Sequence, residues 1–111
     1  MSNVVFSQAA RADRQAITAY TVERFGLEQA RRLRERFETA IHSLAEAPLI
    51  GHRRQDLDPP GRSFRYATVL KTFIIVYEPV DDGIRVVRLL HGARDLAAEL
   101  AQDTRDEGQD L

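Results

Sequence analysis

Apolar positions along this chain follow two different periods, and the change from one to the other organises it. Asn3 to Phe6 is a short apolar run that predicts a strand, and Ser7 after it is a residue type favoured at helix N-caps. Ala9 to Phe25 is alanine-rich and free of glycine and proline, and Gly26 supplies a C-terminal stop, which predicts a first helix. A second helix is predicted from Leu27 to Ala47, ended by Pro48. Its Ala30, Leu33, Phe37, Ala40, Ile41 and Leu44 recur at three- and four-residue spacing and form one continuous stripe. Arg31, Arg32, Arg34, Glu35, Glu38 and Glu46 on the other side read as a solvated surface with local ion pairs. So short a link makes the two helices an antiparallel hairpin.

After the helices the period changes. PLIGHRRQDLDPPG, from Pro48 to Gly61, is rich in proline and glycine and reads as a loop with room for one helical turn. Three strand candidates follow: Ser63 to Leu70, Thr72 to Glu78 and Ile84 to His91. The run Phe73 to Tyr77 is wholly β-branched or aromatic, as in a strand covered on both faces. Asp82-Gly83 is a turn signal that joins the last two strands as an antiparallel hairpin. A short helix from Asp95 to Ala101 precedes a polar tail. The order is β-α-α-β-β-β with a terminal helix. This predicts an α+β fold with the helical hairpin packed on one face of a small, mostly antiparallel sheet and the other face without helical cover. Residues 1–101 read as a single domain and 102–111 as an acidic appendage outside the core.

Composition narrows the function classes. At 111 residues, 43% apolar and 30% charged, the chain has the balance of an ordinary soluble globular domain. No apolar run approaches the roughly 20 residues of a membrane span, and the first residues lack the pattern of a secretory signal. Without cysteine there is no disulfide framework and no thiolate metal site, so a cytoplasmic protein is expected. The net charge of −1 conceals an uneven distribution, because Asp103, Asp106, Glu107 and Asp110 crowd the tail and leave a body of 15 basic and 13 acidic residues. Every basic residue but Lys71 is arginine, whose planar fork pairs bidentately with carboxylate or phosphate. GC-rich codon usage explains that bias equally well, and a weakly positive body does not by itself indicate nucleic-acid binding.

One stretch stands out against this background: RVVRLLHGARDL, Arg85 to Leu96, a strand too charged for simple core filling. Strict alternation places Arg85 with Val87, Leu89 and His91, and Arg88 with Ile84, Val86 and Leu90. Whichever face is packed, an arginine lies near it, and that points to a partner. PLIGHRR, RSFRY, FIIVYEP with its DDG turn, and above all LHGARD at Leu90 to Asp95 resemble the ParE branch of the RelE/ParE toxin superfamily. The resemblance spans nearly all of residues 3 to 100. It implies a growth-inhibiting toxin of a type II toxin–antitoxin pair, bound by a ParD-like antitoxin whose C-terminal segment folds on the toxin. ParE-like members inhibit DNA gyrase by trapping it on cleaved DNA, whereas RelE-like members cut mRNA in the ribosomal A site, so the fold alone does not choose.

The chemistry of RNA cleavage separates these readings. A metal-free ribonuclease needs a base, an acid and a cation to stabilise the anionic phosphorane. RelE-type enzymes typically carry an arginine inside the strand that here reads FIIVY, and its position is occupied by Ile74. The resemblance therefore favours a gyrase inhibitor with no catalytic residues. The alternatives are a ribosome-dependent endonuclease using His91, Arg65 and Arg88, and an antitoxin-binding homologue without target activity. Leu90, His91, Gly92, Ala93, Arg94 and Asp95 are the expected target-binding corner. Gly92 is expected either at positive φ or where backbones approach closely. Arg53, Arg54, Arg62, Arg65, Tyr66 and Arg85 are the expected antitoxin contacts, beside an amphipathic antitoxin segment on the hairpin and adjacent sheet. Each cluster also reads as structural: His91 as a corner hydrogen bonder, Asp95 as an N-cap, the loop arginines as solvated charge. His42 and His52 have no partner at ligand spacing, and neither metal nor cofactor is expected.

Overall fold

The structure is a computed structural model that describes residues 2–92 and 96–101. The expectations for Ala93, Arg94 and Asp95 and for the tail from 102 onward lie outside the described residues. The elements are β1 (Asn3–Phe6), α1 (Gln8–Phe25), α2 (Leu27–Glu46), β2 (His52–Arg53), β3 (Arg65–Val69), β4 (Phe73–Val80) and β5 (Gly83–His91). Residues 96–101 are helical.

Ser7 starts α1 as its residue type predicts. Its hydroxyl oxygen accepts from the Ala10 N–H at 2.9 Å and the hydroxyl donates to the Val87 carbonyl at 2.6 Å, so one side chain both caps the helix and ties it to β5. Gly26, at φ +91°, turns the chain between the helices in a region that glycine adopts cheaply. The α2 stripe is buried at Ala30, Phe37, Ile41, Leu44 and Ala45 and half-buried at Leu33 and Ala40.

The sheet order is β1-β5-β4-β3-β2, with β1 parallel to β5 and every other pair antiparallel. This is the expected α+β architecture, a helical hairpin on a mixed five-stranded sheet. Under the hairpin lies a core built on Phe37, Ile41, Leu44, Ile75, Tyr77, Ile84, Val86 and Leu89. The opposite face is not bare as expected. Leu96 and Leu100 of the 96–101 helix pack there against Phe64, Tyr66, Val76, Val87 and Leu90, giving the sheet a second, smaller core.

Three local features depart from the pattern. Strict alternation fails in β5 because Val76 pairs with Arg88 while Tyr77 pairs with Val86, so Val87 is an extra, bulged residue. Beyond the bulge the phase reverses: Leu89 joins Ile84 and Val86 in the hairpin-side core, and Leu90 joins Val87 in the other. The 48–61 loop contributes the two-residue strand β2, which pairs antiparallel with Tyr66 and Arg65 of β3. It is anchored where the Gly51 N–H donates to the Tyr77 hydroxyl at 2.8 Å and that hydroxyl donates to the Pro48 carbonyl at 2.8 Å. Gly83, finally, is the first residue of β5 rather than part of the turn, and a Cβ there would collide with the Asn3 backbone of β1. The glycine serves close strand approach, and Asp81 and Asp82 make the turn.

Candidate functional site

β1 pairs with residues 83–86 only, so beyond Val86 no strand lies beside the outer edge of β5 among the described residues. Helix α1 closes that edge with side chains. Asp13 accepts from the Leu89 N–H at 2.9 Å, taking the place of a missing strand carbonyl. The same carboxylate holds Arg88 bidentately, at 2.6 Å from Nε and 2.8 Å from Nη2, and Glu99 stands 3.6 Å from Nη1. The arginine whose depth pointed to a partner thus has one within the chain. Both side chains are largely withdrawn from water, at 11% exposure for Arg88 and 14% for Asp13.

The expected target-binding corner begins at the end of β5. His91 is exposed, with its ring edge-on to Phe73 at 5.7 Å between centroids and an interplanar angle of 78°. Gly92 donates its N–H to the Thr72 carbonyl at 2.8 Å, and a Cβ on it would come 3.3 Å from that oxygen, so close approach rather than positive φ explains the glycine. Leu90 faces the second core and holds the sheet; it does not present itself to a target. Ile74, opposite Leu90, is half-buried beneath the corner.

The alternative catalytic set does not converge. Arg65 pairs across the sheet with Tyr77 and His91 with Phe73, positions four residues apart on β4, or roughly 13 Å along the strand. Arg65 donates to the carbonyls of Leu49 at 3.1 Å and Gly51 at 2.9 Å, and Arg88 is held by Asp13. Among the described residues no group of three or more His, Asp or Glu side chains could hold a metal ion.

The expected antitoxin contacts are engaged inside the chain. Arg53 donates to Ser63, to the Phe64 carbonyl and to Asp58. Arg54 forks onto Asp56 at 3.0 and 2.8 Å. Glu78 stands between two guanidinium groups, 3.2 Å from Arg85 and 3.7 Å from Arg62, which also lies over the Phe64 ring. Tyr66 is buried, and its hydroxyl donates to Asp58 at 2.7 Å; burial and that carboxylate push its phenol well above the usual range. Burial likewise raises Tyr77.

A groove on the hairpin side was missed by the sequence reading. It has a volume of about 1060 Å³ and runs between α1, α2 and the β3–β4 turn to His91. Tyr20, Phe25 and Leu70 form its walls at 56%, 64% and 47% exposure, and Leu33 and Phe73 line its floor. Leu70 and Lys71 both have positive φ, 55° and 60°, although neither is glycine, asparagine or aspartate. The Thr72 N–H closes that turn on the Val69 carbonyl at 3.2 Å. The signals were present in the sequence, in Tyr20 and Phe25 on a helix with little apolar periodicity and in a hairpin turn without a turn residue. A smaller cavity of about 360 Å³ lies between β1 and the hairpin.

The model of the ParE toxin of the type II toxin–antitoxin system parDE matches residues 4–96 of this chain. The chain belongs to the ParE toxin family. The family match thus takes in both helices, all five strands and the corner, and stops before the acidic tail. Toxin ParE3 of Caulobacter vibrioides is 27% identical over 104 residues, covering 94% of this chain and all of that protein. A solved structure of the chromosomal ParDE system from P. aeruginosa superposes with a TM-score of 0.66 at 22% identity, covering 82% of this chain and 96% of that one, a likeness of fold. Among the described residues no helix is long and apolar enough to cross a membrane.

Proposed function

We propose that this ParE-family chain is the toxin of a type II pair, that it inhibits DNA gyrase in the cytoplasm as a binding protein rather than an enzyme, and that a ParD-like antitoxin neutralises it. The observation that carries the reading is Ile74. An endonuclease of this superfamily needs a cation on that strand to offset the charge of the phosphorane, and the position holds a half-buried aliphatic side chain packed with Leu90. A positioned electrostatic group is worth roughly 3–4 kcal/mol, on the order of a hundred- to a thousand-fold in rate. Arg88 is tied to Asp13 and Arg65 to the 49–51 carbonyls, so neither substitutes. His91, with Gly92 and the residues 93–95 that follow, is the part of β5 that faces the target in this reading.

Expression without antitoxin tests it in cells. DNA breaks, an SOS response and filamentation are expected while bulk translation continues at first. An immediate halt of translation without an SOS response would favour the endonuclease, and no phenotype at all would favour a homologue that only binds antitoxin.

A further inference from the structure

The groove between α1, α2 and the β3–β4 turn is where exposed apolar side chains, unpaired cations and backbone strain coincide. Tyr20, Phe25 and Leu70 are three of the large apolar side chains this fold leaves most in water, and all three line it. Arg32 and Arg36 stand on its α2 rim, and Lys71 sits in the adjoining turn. Arg36 and Lys71 make no ion pair or hydrogen bond among the described residues, in contrast to the arginines of the β2–β3 region. No carboxylate lines the groove among the described residues. The turn holds Leu70 at positive φ, a conformation that costs a branched side chain energy and that tends to persist where a surface is used.

We infer that this groove receives an acidic amphipathic helix of the antitoxin, which neutralises the toxin by covering His91. The inference rests on the toxin–antitoxin reading and assigns it a surface. The charge follows from a cationic rim without carboxylates. The helix follows from the walls, which are side chains of two helices and a turn. A partner strand would find no sheet edge to pair with there, so the incoming backbone must satisfy its own hydrogen bonds. Apolar residues on one face of that helix lie against Tyr20, Phe25 and Leu70, and its carboxylates reach Arg36 and Lys71. Because His91 forms the far end of the same groove, antitoxin and target compete for it directly.

The test uses the full chain and the purified product of the reading frame adjoining its gene, with affinity measured by calorimetry. Arg36→Glu with Lys71→Glu, and separately Leu70→Asn with Phe25→Ser, alter exposed side chains only, and asparagine tolerates positive φ. Each pair should weaken binding about tenfold or more, and the charge reversal should also flatten its salt dependence, while melting temperatures stay near wild type. Arg54→Ala, on the other side of the molecule, should bind as wild type does. If wild type binds and both groove variants bind equally well, the assignment of the surface is overturned and the antitoxin reading stands. If wild type does not bind, both fall. A toxin dimer without antitoxin that is broken by the groove variants would make the groove a self-interface and overturn the assignment too.

Discussion

Replacing Asp13 with alanine should destabilise the protein more than any other change to a single charged residue in α1. The carboxylate makes three contacts at once: two to the Arg88 guanidinium at 2.6 and 2.8 Å and one to the Leu89 N–H at 2.9 Å. Arg88 then keeps only the more distant Glu99, at 3.6 Å, as an acidic neighbour among the described residues. The Leu89 N–H faces a strand edge with no strand beside it. Breaking a buried ion pair by removing one partner costs about 3–5 kcal/mol. The residual exposure of both groups, 11% and 14%, places this pair near the lower end of that range. For a domain of this size, about 3 kcal/mol lowers the melting temperature by roughly 12 °C. Asp13→Asn keeps a neutral acceptor for Leu89 and should recover about 1 kcal/mol of the loss. Asp13→Leu with Arg88→Met removes both charges together and should cost less than Asp13→Ala alone. Urea unfolding of the four proteins measures each step. A loss below about 1 kcal/mol for Asp13→Ala, or single changes that simply add, would refute the view that Asp13 stands in for a missing strand.

Tyr77→Phe removes the hydroxyl that accepts from Gly51 and donates to Pro48, and should cost about 1–3 kcal/mol by chemical denaturation. Gly51→Ala should cost at least as much, because its Cβ would meet the Tyr77 ring and hydroxyl. The phenols of Tyr66 and Tyr77 are raised in the fold, so the stability they contribute is fully present below about pH 10 and is lost as pH climbs toward the folded-state values; thermal melts between pH 8 and 11 should fall only above pH 10. Lys71→Gly relieves one positive-φ residue and should raise stability by about 1 kcal/mol if the turn is strained as its angles imply.

The elements themselves were legible because their signals are local. Ser7, Gly26, the α2 stripe and the FIIVY run each act through nearest neighbours along the chain, and each predicts its element nearly to the residue. What the sequence did not reveal depends on contacts distant in sequence. The Val87 bulge, set by pairing with β4, reversed the face of every residue after it, and so misplaced Arg88. β2 is two residues long and exists because Tyr77 holds Gly51, a contact spanning 26 positions. The arginines of the loop and of β3 and β5 looked available because their carboxylate partners are not spaced as helical pairs are. Asp58, Glu78 and Asp13 reach them only through the fold. The groove escaped notice for the converse reason, since Tyr20, Phe25 and Leu70 are ordinary residues until the hairpin and a strained turn bring them to one end of the sheet.

The central claim is tested most directly with purified components. Antitoxin-free toxin is added to DNA gyrase with relaxed plasmid, and in parallel to ribosomes carrying a defined mRNA. The account predicts loss of supercoiling with accumulation of cleaved DNA, intact mRNA, and weakened inhibition by His91→Ala. Cleavage of the mRNA at the ribosomal A site, abolished by His91→Ala and accompanied by undisturbed supercoiling, would contradict it.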